Sequence, residues 1–349
     1  MPDEHEARVH SRSYQPDDPE FYLDEHNQLN PGAELAVMLR RISGSIARVV
    51  IVNWLRAPFS RVFLLQCAQG ELVKNGRLPL GGFGGIRGCV YYIITKEGVL
   101  GLFRGCLEDM VLAVPAYIAE ILVALGIAKL QQQLAPLSWS AAVMLGVAAP
   151  GLRVVFTAPV VGYKNTVLCN YVADIVAPNG NKTLAKEDVE EAYLYSSSSE
   201  AATAVKKQYG WKGLFFTGVD IDVAAVYAQS ITTQIVGLLI MPKLEHFIRV
   251  QCSQPGWRLA AMLASTLGVR LMCGIVFQPF QVMRARTALL PTATELRQRK
   301  RCWFWRSAQN IVRQDGITAL WAGLRMRLLR DVCGALLDTM FVGLRRRSS

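Results

Sequence analysis

Basic side chains stand inside otherwise apolar runs of this chain: Arg48, Arg56, Arg153, Lys164, Arg270, Arg284, Arg286 and Arg330. The acids Glu120, Asp220, Asp222 and Asp338 are placed in the same way. Charge in such surroundings costs a few kcal/mol if it faces hydrocarbon, so these groups are expected to turn inward, snorkel to an interface or meet a partner. Turned inward, the cations would suit an anionic solute. Enzyme chemistry has less to stand on. There is no Walker loop, metal-ligand spacing or His/Cys/Asp arrangement, and no cofactor is called for. Cys67, Cys89, Cys106, Cys169, Cys252, Cys273, Cys302 and Cys333 make no CxxC pair and mostly lie in apolar sequence, which reads as buried thiols. Glu120, Asp220 and Asp222 are isolated acids, for which helix–helix or interface partners are the plainer explanation.

The elements that position these groups are long and apolar. The chain has 349 residues, 52% of them hydrophobic, with a mean hydropathy of +0.24, the composition of a polytopic membrane protein. Six spans of membrane-crossing length are expected near 35–66, 106–130, 137–170, 217–241, 256–288 and 321–344. Pro58, Pro159 and Pro279 stand towards one end of the odd spans, where a helix running through them should kink. One layout recurs. Ala57-Pro58 leads to Glu97-Gly98 and Phe103-Arg104-Gly105; Gln278-Pro279 leads to Asp315-Gly316 and Trp321-Ala322-Gly323; Ala158-Pro159 leads to Phe216-Thr217-Gly218. The chain is therefore read as a polar, acidic extension (1–34) and three copies of one unit (35–135, 136–255 and 256–346).

The net charge of +11 is uneven: residues 1–34 carry −7 and the remainder +18. A basic body suits anionic lipid or anionic solutes. Nucleic-acid binding is disfavoured, because the bases are spread between apolar spans and form no single face. The acidic start is unlike a transit peptide, so targeting is expected from internal sequence.

On the stretch APFSRVFLLQ…ELVKNGRL…FGGIRGC…KEGVLGLFRG, and on LRDVCGAL near the C-terminus, the sequence resembles the mitochondrial carrier family, most closely its ADP/ATP carrier branch. The resemblance covers about residues 35–346 and is strong in the first unit, fair in the third and thin in the second. It implies an all-α membrane fold of six transmembrane helices in three pseudo-symmetric repeats, with short matrix helices. It also implies a multi-pass protein of the mitochondrial inner membrane and cardiolipin held at helix N-termini, with Gly85, Arg104, Gly105, Gly218 and Gly323 as candidates beside a plain tight-turn reading of the glycines.

The family closes each side of a central cavity with a ring of ion pairs. Here the first ring falls on Pro58-Ser60-Phe63, Pro159-Val161-Lys164 and Pro279-Gln281-Arg284; the second falls on Leu125/Ala128, Leu238/Met241 and Val342/Arg345. All six acid positions are neutral, so Lys164 and Arg284 are expected to repel and neither door to latch. The family's basic substrate contacts fall on Asn53, Leu112, Ser230 and Arg330, of which only Arg330 is basic. Two functions follow. The leading one is a transport-inactive carrier-fold protein serving as an accessory subunit of a larger inner-membrane, respiratory-type complex. The alternative is a divergent carrier of an anionic metabolite such as ADP/ATP, gated by hydrogen bonds and packing, with Asn53, Lys164, Arg284, Arg286 and Arg330 around its site.

Overall fold

A computed structural model describes residues 31–176, 193–251, 254–290 and 304–348. The described residues are helical throughout, apart from short turns. Helix α1 spans Pro31–Lys74 and is followed by α2 (Ile86–Glu97), α3 (Cys106–Leu134) and α4 (Trp139–Val172). The second half holds α5 (Ser198–Phe216), α6 (Val219–Ile235), α7 (Met241–Gln251), α8 (Pro255–Ala288), α9 (Phe304–Asp315) and α10 (Leu324–Ser348). A π-helical turn, Val236–Ile240, joins α6 to α7 into one long rod. The expected spans thus hold, and the helices containing Pro58, Pro159 and Pro279 run on through their prolines.

Packing closes the bundle. Helices α1, α3, α4, α6–α7, α8 and α10 each lie against the next, and α10 returns to α1. The sequence-distant pair α1 and α10 can meet only if the helices form a ring. The odd members α1, α4 and α8 also touch one another. They do so past their prolines, where Leu65, Cys67, Ala68, Cys169, Ala173, Val282, Ala285 and Ala288 belong to one buried cluster. Three stretches, Val99–Leu134, Trp139–Val172 and Ser198–Ile248, are long and apolar enough by themselves to cross a membrane. Charged residues stand more closely along α1 and α10 than along these three stretches.

The three units are alike in backbone as well as sequence. Each short helix stops at a glycine of positive φ (Gly98 77°, Gly210 67°, Gly316 84°), and each even helix starts from another (Gly105 79°, Gly218 74°, Gly323 75°). The second unit, thin in sequence resemblance, keeps this pattern: the break at Gly210 lies inside α5. These glycines are turn formers, as one of the two sequence readings had it. At Gly105 a second constraint applies, since a Cβ would run into the Val172 side chain of α4.

Candidate functional site

The six long helices enclose a central cavity of about 1130 Å³. Side chains from all six reach it, among them Ser60 and Phe63 (α1), Glu120 (α3), Arg153 and Val161 (α4), Asp222 and Ser230 (α6), Gln281 and Arg284 (α8) and Arg330 (α10). The floor is the apolar cluster where the odd helices converge. At the other end the expected door positions are exposed, Leu125 55% and Leu238 76%. The side chain of Val342, the third such position, lies outside the described residues. The molecule is closed at the proline end and open opposite.

This state corrects the expectation that the remaining cations repel. Lys164 on α4 pairs with Asp109 on α3 at 2.9 Å, and Arg284 on α8 pairs with Asp222 on α6. Phe63, at the matching place on α1, lies under the Arg330 guanidinium of α10, 4.9 Å from the ring centre. Lys164, Arg284 and Phe63 each stand five residues after the proline of their helix, and each turns to the even helix of the preceding unit. These contacts run between adjacent helices of neighbouring units. Three contacts of one layout result, two of them ion pairs and one cation–π. The lost acids at Ser60, Val161 and Gln281 leave no cation stranded, because Asp109 and Asp222 take their place from the side.

The sequence held a signal for these partners. Asp109 and Asp222 both stand four residues after the left-handed glycine of their unit, in the first helical turn, where the dipole favours acids. The partners expected for Asp222, Asp220 and Glu120 are present. Asp220 accepts from the Phe304 amide at 2.6 Å, and Glu120 meets Arg153 at 3.3 Å near the cavity mouth.

Further corrections concern the cavity itself. Arg286 does not join it; it is buried, pairs with Asp315 and donates from Nε to the Cys67 carbonyl at 3.2 Å. Lys164 and Asn53 are likewise not among the residues that line it. Asp338 has no described side chain. Cavity-lining cations are therefore Arg153, Arg284 and Arg330, against Glu120 and Asp222. Two pairs cancel. Arg330 has only a stretched contact to its neighbour Asp331, 3.5 Å away, and Asp331 is shared with Arg327 at 3.6 Å. It is the surplus charge of the cavity.

Among the proposed lipid positions, Gly85 and Gly323 border a second cavity of about 1010 Å³ between the starts of α2 and α10, with Lys74, Arg87 and Arg325 on its wall. Gly105 and Gly218 are buried instead. Arg104 is fully engaged: it stacks on Tyr171 and Tyr193 with its guanidinium carbon 4.3 and 3.5 Å from their ring centres, and it pairs with Asp174 at 3.4 Å. That removes it as a lipid ligand. Cys67, Cys89, Cys106 and Cys169 are buried free thiols, as expected; Cys273 and Cys333 are half-buried, and Cys252 and Cys302 lie outside the described residues. The acidic extension 1–30, the loop 177–192 and most of 289–301 lie there too.

No curated protein matches the chain. Residues 258–346, about a quarter of its length and nearly the whole third unit, match the family model described as Mitochondrial carrier protein. The strong stretch Arg56–Gly105 lies outside that match. With a closed ring of six long helices and repeated short ones, the described residues have the all-α mitochondrial carrier fold, and residues 258–346 match that family's model.

Proposed function

We propose that the protein is a multi-pass carrier of the mitochondrial inner membrane that moves a small, singly charged anion through the central cavity. The supporting observation is the charge of that cavity. Glu120 with Arg153 and Asp222 with Arg284 are neutral pairs, which leaves Arg330 above Phe63 as one surplus cation among polar neighbours. One guanidinium suits one carboxylate or a similar monoanion. A nucleoside diphosphate or triphosphate asks for several cations, so ADP/ATP exchange is disfavoured. The doors on this reading are closed by packing and hydrogen bonds. The inactive-subunit reading rests on the loss of both acid rings, the retained fold and the added segments; the partners of Lys164 and Arg284 weigh against it.

The test is uptake into proteoliposomes loaded with unlabelled solute. Labelled monocarboxylates and other monoanions should exchange and labelled ADP should not. Rapid ADP exchange would overturn the substrate class, and no exchange of any anion would overturn the carrier reading. One observation keeps the second reading, an accessory subunit of a larger complex: all six door positions lack their acid. Migration within a far larger band on a native gel would favour it. The second cavity, with Arg87 and Arg325 at two helix starts and Lys74 at the end of α1, is proposed to hold a cardiolipin phosphate. Retention of the lipid through purification, reduced by Arg87→Gln with Arg325→Gln, would support that.

A further inference from the structure

The sequence leads one to look for a lock at Ser60, Val161 and Gln281, and none is built there. Beyond the ends of the helices a different set of bonds crosses between units. Asp174, two residues past α4, is buried, and its carboxylate meets Arg77 at 2.6 Å and Arg104 at 3.4 Å. Arg77 follows α1 and Arg104 precedes α3, so both belong to the first unit while Asp174 belongs to the second. More bonds run the same way. Arg77 donates to the Ile175 carbonyl at 2.5 Å, Arg61 to the Val172 and Asp174 carbonyls at 3.3 and 3.2 Å, and Arg104 to the Tyr171 carbonyl at 3.1 Å. The Tyr195 amide closes the loop base by donating to Asp174 at 3.0 Å. At the next seam Asn170 spans α4 and α8: its amide donates to the Ala288 carbonyl at 2.8 Å, and its oxygen accepts from the Leu290 amide at 2.9 Å.

We propose that Asp174, clamped by Arg77 and Arg104, is the latch of the proline-end door, displaced past the helix ends from the place where ion pairs were expected. The inference rests on reading that end as a door. Parting α1 from α4 must break the Arg77–Asp174 pair, and a buried carboxylate that loses its cations is costly, so the pair holds the closed state. Asn170 stands four residues before Asp174, one helical turn away, and holds the seam to α8. Release of the first seam is thereby passed to the second.

The experiment is hydrogen–deuterium exchange on the full chain in detergent, comparing the unsubstituted protein with Asp174→Asn and, separately, Arg77→Gln. The informative amide is Leu290, on the α8 side, because it touches neither substituted residue. A latch predicts that Leu290 exchanges at least about tenfold faster in both variants, while α9 keeps its protection; tenfold corresponds to about 1.4 kcal/mol of door stability. Faster exchange confined to residues 173–176 and 195 would overturn the proposal, because Asp174 would then hold only its own loop. Loss of protection in α9 as well, in both variants, would also overturn it, by making the cluster a requirement of the whole fold. Exchange reads the door without any transported solute, so uptake can fail while the latch stands, and the reverse.

Discussion

Asp222 and Arg284 test the residue scale best, because their pairing is not the one the family's own pattern gives. Their side chains are 22% and 13% exposed, so the pair is only partly desolvated. Asp222→Asn strands the guanidinium and should destabilise by about 1–3 kcal/mol, below the figure for a fully buried pair. The double variant Asp222→Asn/Arg284→Gln should recover most of that loss, measured by thermal melting in detergent. Equal losses in single and double variants would mean the two do not act together. Cys89 gives a second test, on a short helix outside the membrane spans. Burial pushes its thiol up to about 12, so at pH 8 almost none is thiolate. Maleimide should leave it unmodified until the chain unfolds, as read by mass spectrometry. At this scale the sequence was half legible. Arg284 was found as a charge that needed a partner. Asp222 was legible as an acid in need of a helix–helix partner but not as the partner of Arg284, since the family's acid sits three residues before its base on the same helix. The spacing from Gly218, repeated from Gly105 to Asp109, was the available clue.

Glycines and prolines govern the scale of elements. Gly105 combines a left-handed φ of 79° with a Cβ position filled by Val172. Gly105→Ala should therefore cost about 1–3 kcal/mol from backbone strain, with the contact adding to it. Gly218, in the same left-handed conformation (φ 74°, ψ 12°) but with only an ordinary 3.8 Å contact at its Cβ position, should lose less on the same substitution. A cost at Gly218 equal to that at Gly105 would remove the packing part of the account. Element positions were legible because apolar length, proline and glycine act locally. The span ends were set to within a few residues at most boundaries. Helix α1 runs on to Lys74, and the fourth span continues through a π turn to Gln251. Neighbouring helices hold the α1 excess, through Cys67, Ala68 and Leu72 in the buried cluster and through polar contacts. Lys74, for one, donates to Gln314 at 2.6 Å.

On the scale of the whole molecule, the closed ring and its converged odd helices decide what the protein can do. Sequence repeats suggested three units, but repeats do not say which end of a bundle closes. The closure came from an apolar cluster, with Cys169 donating to the Ala285 carbonyl at 3.3 Å across α4 and α8. Apolar residues in a membrane protein look alike whether they face lipid or the axis, so this floor was invisible beforehand. A door closed by burial also has a consequence of its own. It is held by an apolar cluster and by a buried ion-pair cluster, both screened little, so its opening should depend little on salt, whereas an exposed ion-pair ring weakens with ionic strength. Uptake rates measured from low to high salt should stay within about twofold after correction for solute binding. A steep rise with salt would point to exposed charge at the door.

The central claim is that Arg330 above Phe63 receives a monoanion that crosses the membrane. Its most direct measurement is exchange of a labelled monoanion in proteoliposomes by the unsubstituted protein, Arg330→Lys and Arg330→Ala side by side. Exchange should be robust in the first, reduced in the second and near background in the third, with melting temperatures alike. Exchange that survives Arg330→Ala undiminished, or that is missing from the unsubstituted protein for every anion tried, would contradict the account.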